Sequence, residues 1–405
     1  MVYDDGCYVS TAPATSMSAP RADWLVVGAG FTGATLAERL ASQANQRVLV
    51  VDRRPHLAGN AYDGPGNEGL HLHHYGAHIF HTSSEKVWTY LSTFTDWRPY
   101  EHRVLGDVDG VLVPIPFNLT SLHRLFPGRQ AKAIERALRA EVGSDGRVPV
   151  LRLLEHPDPV LASFARYVHD AVFANYSAKQ WGLQTEELDR SVTGRVPIVV
   201  SHDDRYFRDA HQGLPADGYV RLFERMLDHP NIEIRLGVEH RDVDADIRDG
   251  QTIFTGPIDE YFDHCFGSLP YRSLRFHHSI VPVGRALPAA VVNYPAAPGF
   301  TRLLEHTQLT GEVSSRTVIT SEWPEEYVAG RNEPYYPIPR PESRALHHRY
   351  RVLAVTKAPN VVFAGRLADY RYYNMDQAVS RALLVFRSLA SGRSAESVPA
   401  LALAR

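Results

Sequence analysis

Short apolar runs bounded by glycine or an acid recur near both ends of this chain, and amphipathic helical stretches separate them. Near the start, Leu25–Val27 runs into Gly28, Gly30 and Gly33. A helical pattern follows with apolar Ala34, Leu36, Ala37 and Leu40, and a second run, Val48–Val51, ends in Asp52. Uninterrupted apolar runs of this length predict strands buried on both faces. GxGxxG alone says little, but strand, glycines, helix, strand and terminal acid in that order read as a dinucleotide-binding βαβ unit. Gly28 allows the tight turn, Gly30 lets backbone approach a pyrophosphate on the helix N-terminus, and Gly33 lets helix and strand pack closely. Asp52 is placed to accept a hydrogen bond from a ribose hydroxyl. With no ligand, the same residues are only a glycine-rich turn.

Further along, the dense histidines His71, His73, His74, His78 and His81 sit in an alternating pattern that predicts a short strand and a turn. No Cys, Asp or Glu lies nearby at a ligand spacing, so the wall of a cleft is favoured over a metal site. The pattern is helical over 84–97, and 104–116 reads as a hairpin around a Gly-containing turn. Helical periodicity dominates 118–180, where Leu161, Phe164, Val168, Val172 and Phe173 fall near one face. Tyr176, Lys179, Gln180 and Trp181 gather at the end of that stretch. Residues 182–220 read as loop, with Arg195, Tyr206 and Gln212 among hinge-like glycines: either a lid over an anion or an ordinary connection. A helix over Tyr219–Asp228, a strand over Ile232–Leu236, antiparallel strands within 279–322, a strand over Val361–Ala364 and a helix from near Asn374 complete the expectation. The stretch from Thr252 to Phe276 stays unassigned.

Composition narrows the function classes. The chain has 405 residues, enough for two or three domains, and is 44% hydrophobic and 22% charged. Its net charge of −3, without a polybasic block, points away from nucleic acid and anionic membranes. The two cysteines, Cys7 and Cys265, form no framework, which suits a reducing cytoplasm. Residues 1–21 lack a signal-peptide pattern and are expected to be a disordered lead-in, and no apolar stretch reaches spanning length, so membrane insertion is not expected.

The stretches VVGAGFTGATLAERLA, VDRRPHLAGNAYD, HHYGAHIFHTSSEKVW, NYSAKQWG, RVPIVVSHDDRYF, HQGLPADGY, TGPIDEYF, GFTRLLEH, PYYPIPR and FAGRLADYRYYNMD stand in order along the chain. Through them the chain resembles the UDP-galactopyranose mutases, a flavoenzyme family, over about residues 22–390. The resemblance implies an α/β fold: a discontinuous Rossmann-like FAD-binding domain (22–84, 207–267 and 340–392), an inserted helical domain (85–103 and 118–183) and an antiparallel β-sheet domain (104–117, 184–206 and 268–339). It implies an isomerase of the cytoplasm that converts UDP-galactopyranose to UDP-galactofuranose, for cell-wall or glycan biosynthesis, without net redox. The reaction runs through a covalent adduct between flavin N5 and the sugar, on FAD kept reduced by NAD(P)H or another reductant. Homodimers are expected by family analogy.

Residue by residue, the resemblance implies that Arg195 and Arg302 clamp the diphosphate, with Tyr206, Tyr336 and Tyr372 as phenol donors. Phe173, Tyr176 and Trp181 match the nucleoside pocket, and Asn293 the sugar side. His78 and Arg366 match positions beside the flavin. Gly28, Gly30, Phe31, Thr32, Gly33, Asp52, Arg53, Gly59, Asn60, Gly365, Tyr372 and Met375 complete the expected cofactor contacts. Five positions depart from the family pattern: Ala58 for a glycine, Ala77 for a proline, Val172 for an aromatic, Thr307 for a lysine and Asn374 for an aspartate. They cluster around base and sugar, which leaves open the same chemistry on another nucleotide sugar (deoxy, N-acetyl or non-uridine). An FAD-dependent oxidoreductase and a non-catalytic nucleotide-binding protein are the alternatives outside that chemistry.

Overall fold

Trp24–Val27 is the central strand of a five-stranded, wholly parallel sheet in the computed structural model, which describes residues 22–66, 69–183, 187, 197–248 and 250–392. The expected lead-in, 1–21, lies outside the described residues. From one edge to the other the strands run Ile232–Leu236, Val48–Asp52, Trp24–Val27, Gln251–Phe254 and Val361–Phe363. Leu25, Val26 and Val48–Val51 are buried because helices cover both faces of a parallel sheet. Helix Phe31–Ala44 packs on one face against helix Met375–Ala390, through a core that includes Leu36, Leu40, Val379 and Leu383. So the two Rossmann-like ends of the chain meet at one sheet.

Several expectations need correcting. The unassigned stretch begins within strand Gln251–Phe254, which lies directly beside the central strand. The expected helix over 84–97 stops at Leu91, and Trp97–Pro99 is a strand instead. Part of the expected loop, His211–Pro215, is the middle strand of a three-stranded sheet between Phe80–Thr82 and Trp97–Pro99. Helix Pro341–Lys357 was not anticipated, because its buried side is only Ser343, Tyr350 and Ala354 and shows no apolar stripe. Proline is tolerated at its first turn, where an unpaired N–H would otherwise stand.

The second layer is a seven-stranded sheet in the order Tyr336–Pro337, Tyr271–Val281, Thr317–Glu326, Arg302–Glu305, Val291–Asn293, Val104–Val108, Val111–Ile115. It is antiparallel except where Val291–Asn293 runs parallel to Val104–Val108. Its register sets Asn293 opposite Arg302 and Arg302 opposite Glu322, so the three side chains share one face of the sheet. Helices Leu119–Leu125, Gly128–Val142 and Pro159–Val168 pack into a separate core around Leu122, Ile134, Leu138 and Phe164. The last of them continues through a π-helical turn, His169–Ala174, into helix Asn175–Trp181. Val172 turns into this core and is 6% exposed, so it offers little surface to a ligand.

Ala58 sits at φ +71°, in the left-handed region that glycine adopts freely. Strain of about 1–2 kcal/mol is offset by burial of its methyl group, about 0.8 kcal/mol, and by a stiffer unfolded chain. Ala58→Gly is therefore expected to leave stability within about 0.5 kcal/mol of the parent in denaturant unfolding, where Gly for Ala ordinarily destabilises.

Candidate active site

A cavity of about 450 Å³ opens at the C-terminal ends of the parallel strands, the side on which such sheets bind ligands. The glycine turn forms its floor. Gly28 has φ +104°, and a Cβ there would stand 2.0 Å from Thr255 Oγ1; one on Gly33 would stand 1.9 Å from the Gly28 carbonyl oxygen. Gly30 differs: a Cβ there would meet nothing nearer than Gly59 Cα at 3.8 Å, so its bare backbone faces open cavity. Asp52 is pinned by its neighbours. Its Oδ2 accepts from Ala29 N–H (2.8 Å) and its Oδ1 from Arg54 N–H (2.9 Å). The N-terminus of helix Phe31–Ala44 faces the cavity, Gly365 lies against its first turn, where a Cβ would stand 3.1 Å from Thr32 Oγ1, and Arg366 and Met375 line the wall beside it, a donor set that suits a dinucleotide.

The residues expected at a cofactor all line this cavity except Tyr372, which stands in an aromatic cluster beside it. Phe31 is mostly core, with its ring 4.8 Å from that of Phe223. Sequence reasoning missed Arg54, Glu239, Glu260 and Glu333, which also line the cavity. Two of these follow from the missed strand Gln251–Phe254 and the strand Ile232–Leu236, whose C-terminal ends open there. Asn374 lines the cavity as N-cap of helix Met375–Ala390, in a reciprocal capping box with Gln377. Aspartate would cap equally well, so the departure chiefly removes a negative charge.

His78 joins the floor to the substrate side. Its Nδ1 donates to the Gly76 carbonyl (2.9 Å), and its own carbonyl accepts from the Tyr219 hydroxyl (3.1 Å). Burial pushes its pKa down to about 3, so the ring is neutral at pH 7 with Nε2 as acceptor. Its histidine neighbours are structural. His73 N–H donates to His306 Nδ1 (3.1 Å), and His306 Nε2 and His278 Nδ1 each lie 2.7 Å from the Thr320 hydroxyl. The histidine-rich segment is a wall, packed on the antiparallel sheet.

On that sheet Arg302 meets Glu322 in a two-point ion pair, Nε and Nη2 each 2.9 Å from a carboxylate oxygen. Burial opposes the guanidinium's charge, but Glu322 holds it well above the ordinary arginine range. The pair leaves the Nη1 edge for a ligand. Trp181, Tyr336 and Tyr372 cluster nearby, with ring centroids 5.0–5.9 Å apart. Tyr176 faces Arg302, Glu322, Tyr206 and Tyr372 electrostatically, and burial raises its phenol's pKa. Tyr336 is raised for the same first reason. Both stay protonated at neutral pH and act as donors. Arg366 ties the two halves together: it lines the cavity, and its guanidinium carbon lies 5.6 Å from the Tyr372 ring and 6.0 Å from Tyr336.

Tyr206 N–H donates to the His102 carbonyl (2.7 Å), and the buried His102 ring, unnoticed in the sequence, faces Arg302 and His81. Among the described residues Asn293 Oδ1 is buried without a partner, and Phe173 is half-buried on the π-helical turn. Arg195 lies outside the described residues. Two residues singled out by sequence turn out to serve the scaffold. Thr307 is a buried hydroxyl 2.6 Å from that of Thr317. Lys179 Nζ donates to the carbonyls of Tyr294, Ala297 and Phe300 at 2.7, 2.8 and 2.8 Å, fastening helix Asn175–Trp181 to the sheet. Lys179→Met strands those carbonyls and is expected to lower unfolding stability by about 2–4 kcal/mol in denaturant titration. A loss under about 1 kcal/mol would mean that water replaces the ammonium.

Comparison with known proteins agrees with this layout. Residues 171–372 match the family model described as UDP-galactopyranose mutase, and residues 26–94 match an NAD(P)-binding Rossmann-like domain. The chain is 34% identical over 380 residues to the UDP-galactopyranose mutase of Mycoplasma pneumoniae, covering 89% of this chain and 94% of that protein. It belongs to the UDP-galactopyranose mutase family. The dTDP-fucopyranose mutase of Escherichia coli is 32% identical to the chain over 367 residues, covering 89% of this chain and 96% of its own length. A crystal structure of reduced UDP-galactopyranose mutase shares the fold at a TM-score of 0.69 and 16% identity, covering 92% of this chain and 94% of the other. As a member of this family the chain is an isomerase acting on a nucleotide sugar. Its α/β fold carries a Rossmann-like dinucleotide cradle.

Proposed function

We propose that the chain interconverts UDP-galactopyranose and UDP-galactofuranose on bound, reduced FAD. The observation that carries this reading is Arg366, which faces both the dinucleotide cavity and the Tyr336–Tyr372–Trp181 cluster beside Arg302. A cofactor held in the cavity would have Arg366 between its cradle and that aromatic cluster. Held by the glycine turn, Asp52, Arg366 and Met375, reduced FAD would supply the nucleophile for the sugar's anomeric carbon.

The remaining roles fall to the protein. Loss of the diphosphate from the sugar develops negative charge on its oxygens. Arg302, fixed by Glu322, answers that charge with an edge that needs no reorganisation, and Arg195 is assigned as its counterpart. The phenols of Tyr176, Tyr206, Tyr336 and Tyr372 donate to the same oxygens. Trp181 and Phe173 flank the base. Asn293 Oδ1, buried without a partner among the described residues, is suited to accept from a sugar hydroxyl. Neutral His78 offers Nε2 as an acceptor at the cofactor ring. In the cradle, Gly30 and Gly59 admit the pyrophosphate, and Asp52 retains lone pairs for a ribose hydroxyl.

A second reading is favoured by one relative and one residue. The Escherichia coli relative is named for dTDP-fucopyranose, and Val172 withholds a side chain from the base pocket. The chemistry is unchanged and the sugar is 6-deoxy on a thymine nucleotide. The test incubates reduced protein with UDP-galactopyranose and dTDP-fucopyranose separately and follows furanose formation. Turnover of the first with only a catalytic amount of reductant is expected. Turnover of the second alone selects the alternative, and reductant or oxygen consumed in proportion to substrate rules out both.

A further inference from the structure

Arg53 and Arg54 stitch three distant chain segments together across the dinucleotide cavity. Glu333 Oε2 accepts from Arg54 Nη2 at 2.9 Å and from Arg53 Nη2 at 3.3 Å. Arg53 Nη1 also donates to Glu260 Oε1 at 3.0 Å. Arg54 is anchored on its other side by Asn60 Oδ1, 2.9 Å from its Nη1, and lies 4.7 Å over the Tyr75 ring. The arginines follow strand Val48–Asp52, Glu260 belongs to helix Ile258–Tyr261, and Glu333 stands three residues before Tyr336. All four charged residues line the cavity, yet the side chains of Arg53, Glu260 and Glu333 are 33–35% exposed. They stand where cavity meets solvent.

The geometry points to a strap that retains the dinucleotide: Glu333, held by Arg53 and Arg54, closes the cavity mouth and must release them before the cofactor can enter or leave. The charges support this division of labour. Glu333 and Glu260 bind the guanidinium groups to protein, so closure does not rely on phosphates that the glycine cradle already serves through its amides. Burial would raise the Glu333 carboxyl's pKa, but Arg54 and Arg53 bring it below the ordinary range, so the strap is ionised at neutral pH. Partly exposed ion pairs are screened by salt, which makes the strap measurable without altering the protein.

This inference rests on the FAD reading above, and its test separates the two. Holoprotein loaded with FAD is diluted, and release is followed by the rise in flavin fluorescence at low and high NaCl. Release from the parent is expected to accelerate about 10-fold between ~0.05 M and ~0.5 M salt. Glu333→Gln is expected to release FAD about 10-fold faster at low salt, with little further response to salt, and Glu333→Asp to restore most of the difference. Glu333→Gln should lower the Tm of the holoprotein by clearly more than that of the apoprotein, whose partly exposed ion pairs contribute little. A parent whose release ignores salt, or a variant that releases FAD at the parent's rate, overturns the strap. So does an equal fall of Tm in apo- and holoprotein, which would make Glu333 a purely structural residue. A chain that takes up no FAD overturns the cofactor reading and the strap with it.

Discussion

Arg302→Ala is expected to lower kcat/KM for the nucleotide sugar by about 10²–10³-fold, because it removes a preorganised charge from oxygens that become more negative as the reaction proceeds. Stability should fall as well. Glu322 is only 4% exposed at its side chain, and Arg302 supplies both of its charge-assisted hydrogen bonds on the sheet. Stranding a buried carboxylate in this way costs about 3–5 kcal/mol. The two losses can be told apart. Arg302→Ala combined with Glu322→Gln removes the orphaned charge and should regain most of the stability, read by denaturant unfolding, with no return of turnover. A double variant that regains activity would mean that Arg302 matters only as a partner for Glu322. Unchanged kcat/KM in the single variant would remove Arg302 from the site.

Neither the Arg302–Glu322 pair nor its burial is visible in the sequence alone. Arg302 was reached through the GFTR stretch, but Glu322 was not, because what joins them is the register of two antiparallel strands twenty positions apart. The opening βαβ unit is the opposite case. There the strand, turn, helix and second strand are consecutive, and each is announced by local pattern: apolar runs for burial, glycines where a Cβ has no room, an acid at the strand end. Gln251–Phe254 obeys the same physics and still went unassigned, since a four-residue strand between glycines has no period of its own and takes its place only from its parallel neighbours. Lys179 shows the same limit from the other side. The sequence places it among aromatic and hydrogen-bonding groups at a helix end, and three backbone carbonyls more than a hundred positions away claim its ammonium. Local pattern reports what a residue can do; long-range packing decides whether it is still free to do it.

Gly30→Val is expected to give a folded protein that has lost its dinucleotide, with FAD affinity weakened at least ~100-fold, or ~2.7 kcal/mol. The backbone at Gly30 has φ −85° and ψ −175°, extended geometry that valine accepts readily. No protein atom opposes a Cβ there within the range of a clash, so what valine fills is the space a pyrophosphate needs. Gly33→Val is the matched contrast. Its Cβ would press to 1.9 Å from the Gly28 carbonyl, forcing helix Phe31–Ala44 away from the central strand. Gly33→Val should therefore lose the fold together with the cofactor, seen as a lowered unfolding midpoint of the apoprotein. Gly30→Val should keep the apoprotein's midpoint and fail only in flavin titration. Equal loss of stability in both variants would mean that the turn is tight throughout and that Gly30 serves packing. Normal FAD uptake by Gly30→Val would move the pyrophosphate elsewhere in the cavity, and with it the assignment of the glycine turn as the cofactor's seat.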